Sequence, residues 1–509
     1  MDTKKKIILC ILDGWGVAEA GAEAGDATRV ATYFRSLWDA APHTQLEASG
    51  AAVGLPPGQM GNSEVGHTTI GLGRVIKQDL VRINESIVDG SLARKLEGVK
   101  SRLLASGGAA HVWGMISPGG VHSHMDHVRA IVDILAEKSG GESLQVYIHA
   151  ITDGRDTPRH CGKGYMQTFT TNLPSNAKVV SISGRFMAMD RSLNWDRTQW
   201  EYEVLAYQRS RSFVGEWPMV FFLLDEIMRA EPNDEYIAPS LVGNQRYPHN
   251  TNDALIIANF RADRLRQLVQ ALASPDFKAF PREEFPRFSE VLTMTEVEPY
   301  CQALFSKQSS TNSLSDVLTV NGFTQVRISE MEKRAHVTYF FDGGVEKPGH
   351  EGEYVTVPSP DVISYDQSPQ MGAREVTEET VRAVQQGVDV IVVNYANADM
   401  IGHTGKFDVT QESIRVVDEC LERVVQCAQE HGYTLFVTAD HGNAERMQNP
   451  DGSKNNTHST NPVPFMVLDN SVRLKDCGGL RDIAPTILHY LGIPSPGEMT
   501  GSSLILPGG

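Results

Sequence analysis

Val390–His403 reads VIVVNYANADMIGH. Val390 to Tyr395 is a short, β-rich apolar run, and two possible metal ligands, Asp399 and His403, follow close behind it. A run of this length without alternation is how a strand buried on both faces of a parallel sheet reads. The spacing Asp399-x-x-x-His403 puts both side chains on one face if a helical turn follows the strand. The same layout recurs near the two ends of the chain, where Ile7–Leu12 leads to Asp13 and Leu435–Thr438 leads to Asp440 and His441. In the middle, strand-like runs end in arginine instead. Leu144–Ile151 precedes Arg155, Val179–Ser183 precedes Arg185, and Leu255–Phe260 precedes Arg261 and Arg264. Ligands of open α/β sheets gather beyond the carboxyl ends of the strands. The pattern therefore predicts an α/β fold with mostly parallel sheets, in which a cation-binding domain made from both termini is interrupted by a second, anion-binding α/β domain.

At 509 residues the chain is too long for one comfortable core, which suits that division. Gly71–Lys77 reads as the exit and the polar run Lys307–Ser315 (KQSSTNSLS) as the return. The expected boundaries are 1–76 with 311–509 for the outer domain and 77–310 for the insertion. An apolar fraction of 41% and a charged fraction of 21% are those of an ordinary globular protein. A formal net charge of -17 disfavours binding to nucleic acid or to an anionic membrane surface, which both need a positive field. An anionic substrate would need a local basic pocket. The six cysteines form no CxxC pair, so neither a thiolate zinc site nor a disulfide framework is expected. Lys4, Lys5 and Lys6 precede an apolar run that Asp13 interrupts, too short for a signal segment or a membrane span. The expected location is the cytoplasm.

Four segments carry possible metal ligands: Asp13-Gly14, the loop Gly58–Glu64, Asp399 with His403, and Asp440-His441 with His458. Carboxylate, imidazole and hydroxyl donors without sulfur suit a hard or borderline divalent ion, leaving Mn²⁺, Mg²⁺, Co²⁺ and Zn²⁺ open. Adjacent Asp440 and His441 would point apart and could serve two neighbouring ions. Each segment alone has an ordinary reading: Asp before Gly is usually a turn residue, and isolated histidines are usually hydrogen-bonded or on the surface. Ser63 lies in a Gly-rich loop where it could simply cap a helix. A serine there also sits beside free backbone N–H groups, and coordination to a cation would make its hydroxyl a nucleophile near neutral pH.

LDGWG (Leu12–Gly16), GQMGNSEVGHTTIG (Gly58–Gly71), GGVHSHMDH (Gly119–His127), DGRDTP (Asp153–Pro158), GRFMAMDR (Gly184–Arg191), NFRADR (Asn259–Arg264), SEMEKRAHVTYFFDGG (Ser329–Gly344), NADMIGHTG (Asn397–Gly405), TADHGNAE (Thr438–Glu445) and THSTNPVP (Thr457–Pro464) run in order along nearly the whole chain. Together they closely resemble the cofactor-independent phosphoglycerate mutases of the alkaline phosphatase superfamily. The resemblance implies an alkaline-phosphatase-like outer domain and two divalent cations, with manganese favoured. One cation would be held by Asp399, His403 and His458, the other by Asp13, Ser63, Asp440 and His441. It implies that Ser63 is phosphorylated in mid-cycle and that His122, Arg155, Asp156, Arg185, Arg191, Arg261, Arg264 and Lys333 surround a phosphoglycerate, in a monomer. Asp156 is the candidate for proton exchange with the substrate hydroxyls, and closure of the two domains is expected to keep the intermediate from water. Of the cluster His122, His124 and His127 it gives only His122 a substrate role. Lys333 could instead form a surface pair with Glu330 or Glu332, and Arg155 could pair with Asp156. Thr28–Phe34 and Arg211–Asp225 depart from the family pattern without touching a proposed ligand. The alternatives are a phosphatase or another phosphomutase of the same superfamily, and a metal-binding scaffold without activity. Because metal-bound histidines must be neutral, occupancy and activity are expected to fall together below a pH of roughly 6.

Overall fold

The computed structural model describes residues 4–21, 25–210, 212–214, 233–243, 247–345, 354–449 and 451–507. The chain forms two compact units, one of residues 1–78 with 308–509 and one of residues 79–307.

The first unit is built on an eight-stranded sheet. In spatial order its strands are Tyr354–Val357, Gln325–Glu330, Val390–Tyr395, Lys6–Leu12, Tyr433–Thr438, Val463–Val467, His43–Glu47 and Cys477–Gly479. The first five run parallel, and Val463–Val467 is antiparallel to both of its neighbours. Lys6–Leu12 lies at the centre with Ile7 to Leu12 all buried, because helices cover both faces of a parallel sheet. The longest of these helices, Phe407–Glu430, buries Thr410, Ser413, Ile414, Val417, Leu421, Val424 and Ala428 at helical spacing. Its Asp418 accepts hydrogen bonds from the Tyr33 and Phe34 amides at 2.8 and 2.7 Å. The divergent segment Thr28–Phe34 thus begins the Thr32–Ala40 helix with its first free amides satisfied from outside.

The second unit carries its own eight-stranded sheet, in the order Gln302–Phe305, Glu290–Thr295, Ala254–Ile257, Ala110–Met115, Val146–Thr152, Ala177–Gly184, Ser240–Val242 and Ser212–Val214. All neighbouring pairs are parallel except Ala177–Gly184 with Ser240–Val242. Leu255–Phe260, read as one strand, closes at Ile257. Beyond it the Asn259 side chain replaces the backbone ladder, accepting from the Met115 amide at 3.0 Å. Of the divergent stretch 211–225, only 212–214 lies within the described residues.

Candidate active site

In the first unit every strand that ends near the site is followed by a functional side chain. Asp13 follows Lys6–Leu12, Lys333 lies in the turn after Gln325–Glu330, Asp399 and His403 lie on the helical turn after Val390–Tyr395, and Asp440 with His441 follows Tyr433–Thr438. Close packing of these ends depends on small residues: a Cβ on Gly14, whose φ is 77°, would lie 2.6 Å from the Asp399 backbone. Ser63 is the first residue of the Ser63–Leu72 helix, but it is not its cap. That role belongs to Asn62, whose side chain accepts from the Val65 amide at 3.1 Å, so the Ser63 hydroxyl is free for other work.

Ser63 Oγ lies 3.0 Å from His441 Nε2 and 3.2 Å from Asp13 Oδ1, and accepts from Lys333 Nζ at 2.8 Å. Lys333 also donates to Asp13 Oδ1 at 2.7 Å and to Asp399 Oδ2 at 2.6 Å. Its side chain is only 3% exposed, which overturns a surface pair with Glu330 or Glu332. A cavity of about 480 Å³ opens beside Ser63, Lys333, His336, Asp399, His403 and His458.

Three donor atoms meet at Asp399. Its Oδ1 lies 3.1 Å from His403 Nε2 and 3.0 Å from His458 Nε2, and these two nitrogens are 2.9 Å apart. His403 Nδ1 faces the Asn456 carbonyl at 2.9 Å and His458 Nδ1 faces the Gly61 carbonyl at 2.8 Å. A carbonyl can only accept, so each Nδ1 holds the proton and both Nε2 lone pairs point at each other and at a carboxylate. Such a triangle is repulsive until a cation or extra proton enters it. Outward Nδ1–H bonds to carbonyls are also how metal-binding histidines are usually held.

The second donor group shares that need. His441 Nε2 lies 3.5 Å from Asp13 Oδ1 and 3.6 Å from Asp440 Oδ2, and the latter oxygen is buried without a hydrogen bond. Three buried carboxylates, Asp13, Asp399 and Asp440, thus face one ammonium. Burial alone would raise the pKa of Asp13 and Asp399, but Lys333 and the nearby histidines outweigh it and hold both below the ordinary carboxylate range. Burial would lower His441, yet Asp440, Asp13 and Asp399 push it up to about 10. His403 is raised, chiefly by its hydrogen bond to Asp399. The donor set fits divalent cations, since added positive charge would satisfy the orphaned oxygen and both opposed imidazoles. His441 stands between the two donor groups: its Nε2 lies 3.6 Å from Asp440 Oδ2 and 3.9 Å from Asp399 Oδ1.

The second unit gathers cations of its own. Arg185 is buried and donates to Asp153 at 2.7 Å and Asp156 at 2.6 Å, while Arg155 lies 3.6 Å from Glu235. Arg155 and Asp156 therefore do not pair with each other. Arg191 and Arg261 both reach Asp263, at 2.7 and 3.0 Å, and His122 stands 3.8 Å from it. Arg264 donates to the Met189 carbonyl at 3.1 Å, and burial followed by the charges of Arg185 and Arg191 lowers its pKa. His122 is lowered to about 4 by burial and by Arg185, so it is neutral at physiological pH. Mutually repelling guanidinium groups around a neutral imidazole make a site for an anion. His124 and His127 do other work: His124 caps the Met125–Ala136 helix, and His127 lies 2.7 Å from Asn84 Oδ1.

The Metalloenzyme superfamily model matches residues 5–495 of the chain. The chain is 42% identical over 521 aligned residues to the 2,3-bisphosphoglycerate-independent phosphoglycerate mutase of Cyanothece sp., covering 98% of this chain and 96% of that protein. It is 40% identical to the Rhodopseudomonas palustris protein of the same name, covering 99% of this chain and 100% of the relative. The chain belongs to the 2,3-bisphosphoglycerate-independent phosphoglycerate mutases. A solved structure, that of Leishmania mexicana phosphoglycerate mutase at low cobalt concentration, covers 99% of this chain and 98% of its own with 26% identity and a TM-score of 0.59.

Several supporting residues in this mutase-family chain escaped sequence reasoning. Asn394 donates to Asp13 Oδ2 at 2.8 Å and lies 3.0 Å from His67 Nε2, while His67 Nδ1 faces the Ser63 carbonyl at 2.9 Å. Asn443 donates to Asp399 Oδ1 at 3.2 Å. Asp153 accepts from the Arg155 and Asp156 amides as well as from Arg185, fixing that turn. A polar residue inside the apolar run ending at Tyr395, and a histidine one helical turn beyond Ser63, were the available signals.

The raised His441 pKa revises the pH expectation. Relative to an ordinary histidine near 6.5, a raised value contributes stability to the metal-free chain that is fully present below 6.5 and lost as pH rises through about 10. Any cation at Nε2 displaces that proton, so metal affinity is expected to climb with pH across the same window. Calorimetric metal titrations at pH 7.5 in buffers of different ionisation enthalpy should show release of roughly one proton per chain or more; no release would contradict a protonated His441.

Proposed function

We propose that the chain interconverts 3-phosphoglycerate and 2-phosphoglycerate without 2,3-bisphosphoglycerate, passing the phosphoryl group through Ser63. The observation that carries this reading is the Ser63 hydroxyl held within 3.2 Å of Lys333, His441 and Asp13, beside an accessible cavity.

Asp399, His403 and His458 would hold one divalent cation, and Asp13, Ser63, Asp440 and His441 a second, with Mn²⁺ favoured by family likeness and Mg²⁺, Co²⁺ or Zn²⁺ as alternatives. Bound there, the pair would lower the pKa of the serine hydroxyl and offset phosphate charge. Ser63 Oγ attacks phosphorus; an Oγ–P bond forms as the P–O bond to the glycerate oxygen breaks, leaving phosphoserine and glycerate. Lys333 is within reach of charge developing on the transferring oxygens. Arg155, Arg185, Arg191, Arg261 and Arg264, with neutral His122, supply the guanidinium forks that suit a carboxylate and a phosphate. Asp156 takes a proton from the neighbouring hydroxyl and passes it to the departing alkoxide, and the oxygen so freed takes the phosphoryl group back from Ser63. Under this reading the chain works as a monomer in the cytoplasm. Among the described residues no helix is long and apolar enough to cross a membrane.

The test is to strip the protein with a chelator, restore single cations, and follow 2-phosphoglycerate formation from 3-phosphoglycerate with no 2,3-bisphosphoglycerate present. Activity should vanish and return with a divalent cation. Release of inorganic phosphate in place of 2-phosphoglycerate would identify a hydrolase instead.

A further inference from the structure

The second unit holds a buried polar cluster that the proposed reaction does not use. His111 lies on the Ala110–Met115 strand, His149 on the adjacent Val146–Thr152 strand, and Asp253 immediately before Ala254–Ile257. His111 and His149 are fully buried, Asp253 nearly so, and the His249 side chain is 2% exposed. Tyr147, Tyr247 and Phe288 surround them with aromatic surface.

A hydrogen-bonded chain runs through the cluster. Ser181 Oγ lies 2.7 Å from His149 Nδ1, His149 Nε2 lies 2.9 Å from His111 Nδ1, and His111 Nε2 lies 3.3 Å from Asp253 Oδ2. His249 Nδ1 stands 3.7 Å from the same carboxylate oxygen. Neither ring nitrogen of His249 has a hydrogen-bond partner, and neither does the Tyr247 hydroxyl. One donor atom from each of His111, His249 and Asp253 lies within 4.8 Å of the others.

The protons of this chain can run in two directions. Directed from Ser181 toward Asp253, they satisfy His111 but leave a buried imidazole and a buried phenol stranded. Directed outward, His111 Nδ1–H donates to His149 and His149 Nδ1–H donates to Ser181. His111 Nε2 then turns a lone pair toward Asp253 and His249, and a cation among the three would satisfy all of them. An outward N–H donated to a fixed acceptor is the usual support of a metal-bound histidine. We propose that His111, His249 and Asp253 form a closed structural site for one zinc ion, separate from the Ser63 centre. Two imidazoles and a carboxylate favour zinc over magnesium or calcium, and the unpartnered hydroxyl of Tyr247, whose ring lies 5.6 Å from that of His111, is the candidate fourth donor. The ion would tie together three segments of the second unit.

The experiment uses the full chain, produced with zinc available and dialysed under native conditions against EDTA, with zinc per chain read by plasma mass spectrometry. The parent protein and a His403→Asn/His458→Asn double variant should each retain about one zinc, and His249→Asn should lose it while keeping mutase activity after manganese is restored. X-ray absorption of the zinc retained by the double variant should show imidazole nitrogen ligands, a measurement that stands even if His249→Asn fails to fold. Absence of retained zinc in the parent, its loss from the double variant, or equal retention in a folded His249→Asn chain would each overturn the proposal.

Discussion

Replacing Ser63 with alanine is expected to lower mutase turnover on the order of 10⁴-fold or more, the scale seen when a covalent nucleophile is removed. The fold should survive. Asn62, not Ser63, caps the Ser63–Leu72 helix, and alanine is well suited to a first helical turn. Lys333 keeps its bonds to Asp13 and Asp399 when the hydroxyl is gone. Unfolding free energy in urea should therefore change by no more than about 1 kcal/mol. A collapse of kcat with a near-normal unfolding curve separates a chemical role from a structural one. Activity within tenfold of the parent would mean that phosphate takes another route.

Lys333→Met is expected to destabilise the metal-free chain by about 3–5 kcal/mol, the usual cost of leaving a buried charge uncompensated. The ammonium donates to both Asp13 and Asp399, and its removal would leave the three carboxylates with imidazoles as their charged partners: His441 near all three, His403 and His458 at Asp399, and His67 at Asp440. Asp13 and Asp399 have depressed pKa values in the parent, so their contribution is present above the ordinary carboxylate value of about 3.9 and lost as pH falls below it. The difference between parent and variant should accordingly shrink in acid. Divalent cations should restore most of the lost stability at neutral pH, while kcat of the metal-loaded variant stays lower by about 10²–10³-fold because a charge aimed at the transferring phosphate is missing. Urea unfolding of chelator-treated protein across pH, paired with kcat after metal is restored, gives both numbers. Equal stability of the two metal-free chains would show that the carboxylates do not depend on the ammonium.

Much of this was readable because fully buried parallel strands write themselves as unbroken apolar runs. Val390–Tyr395 coincides with its strand, and the Asp13, Asp399 and Asp440 endings follow theirs. Leu255–Phe260 was read too long because an asparagine side chain standing in for the backbone ladder leaves no apolar trace. The setting of Lys333 was ambiguous for a different reason. Its neighbours in sequence are Glu330 and Glu332, whereas its bonded carboxylates lie 320 and 66 residues away. Asp263, which draws Arg191 and Arg261 together, sits inside the NFRADR motif, yet no spacing rule says that an acid belongs among guanidinium groups. Gly66 shows the same limit: a Cβ there would lie 2.6 Å from the Asp440 carbonyl, a close approach that only folding creates.

The most direct measurement is an acid quench of metal-loaded enzyme turning over ³²P-labelled phosphoglycerate, followed by peptide mapping. Radioactive phosphate should be found on the peptide bearing Ser63 and be missing from the Ser63→Ala protein. Full turnover with no acid-stable label on that peptide would contradict a phosphoserine route.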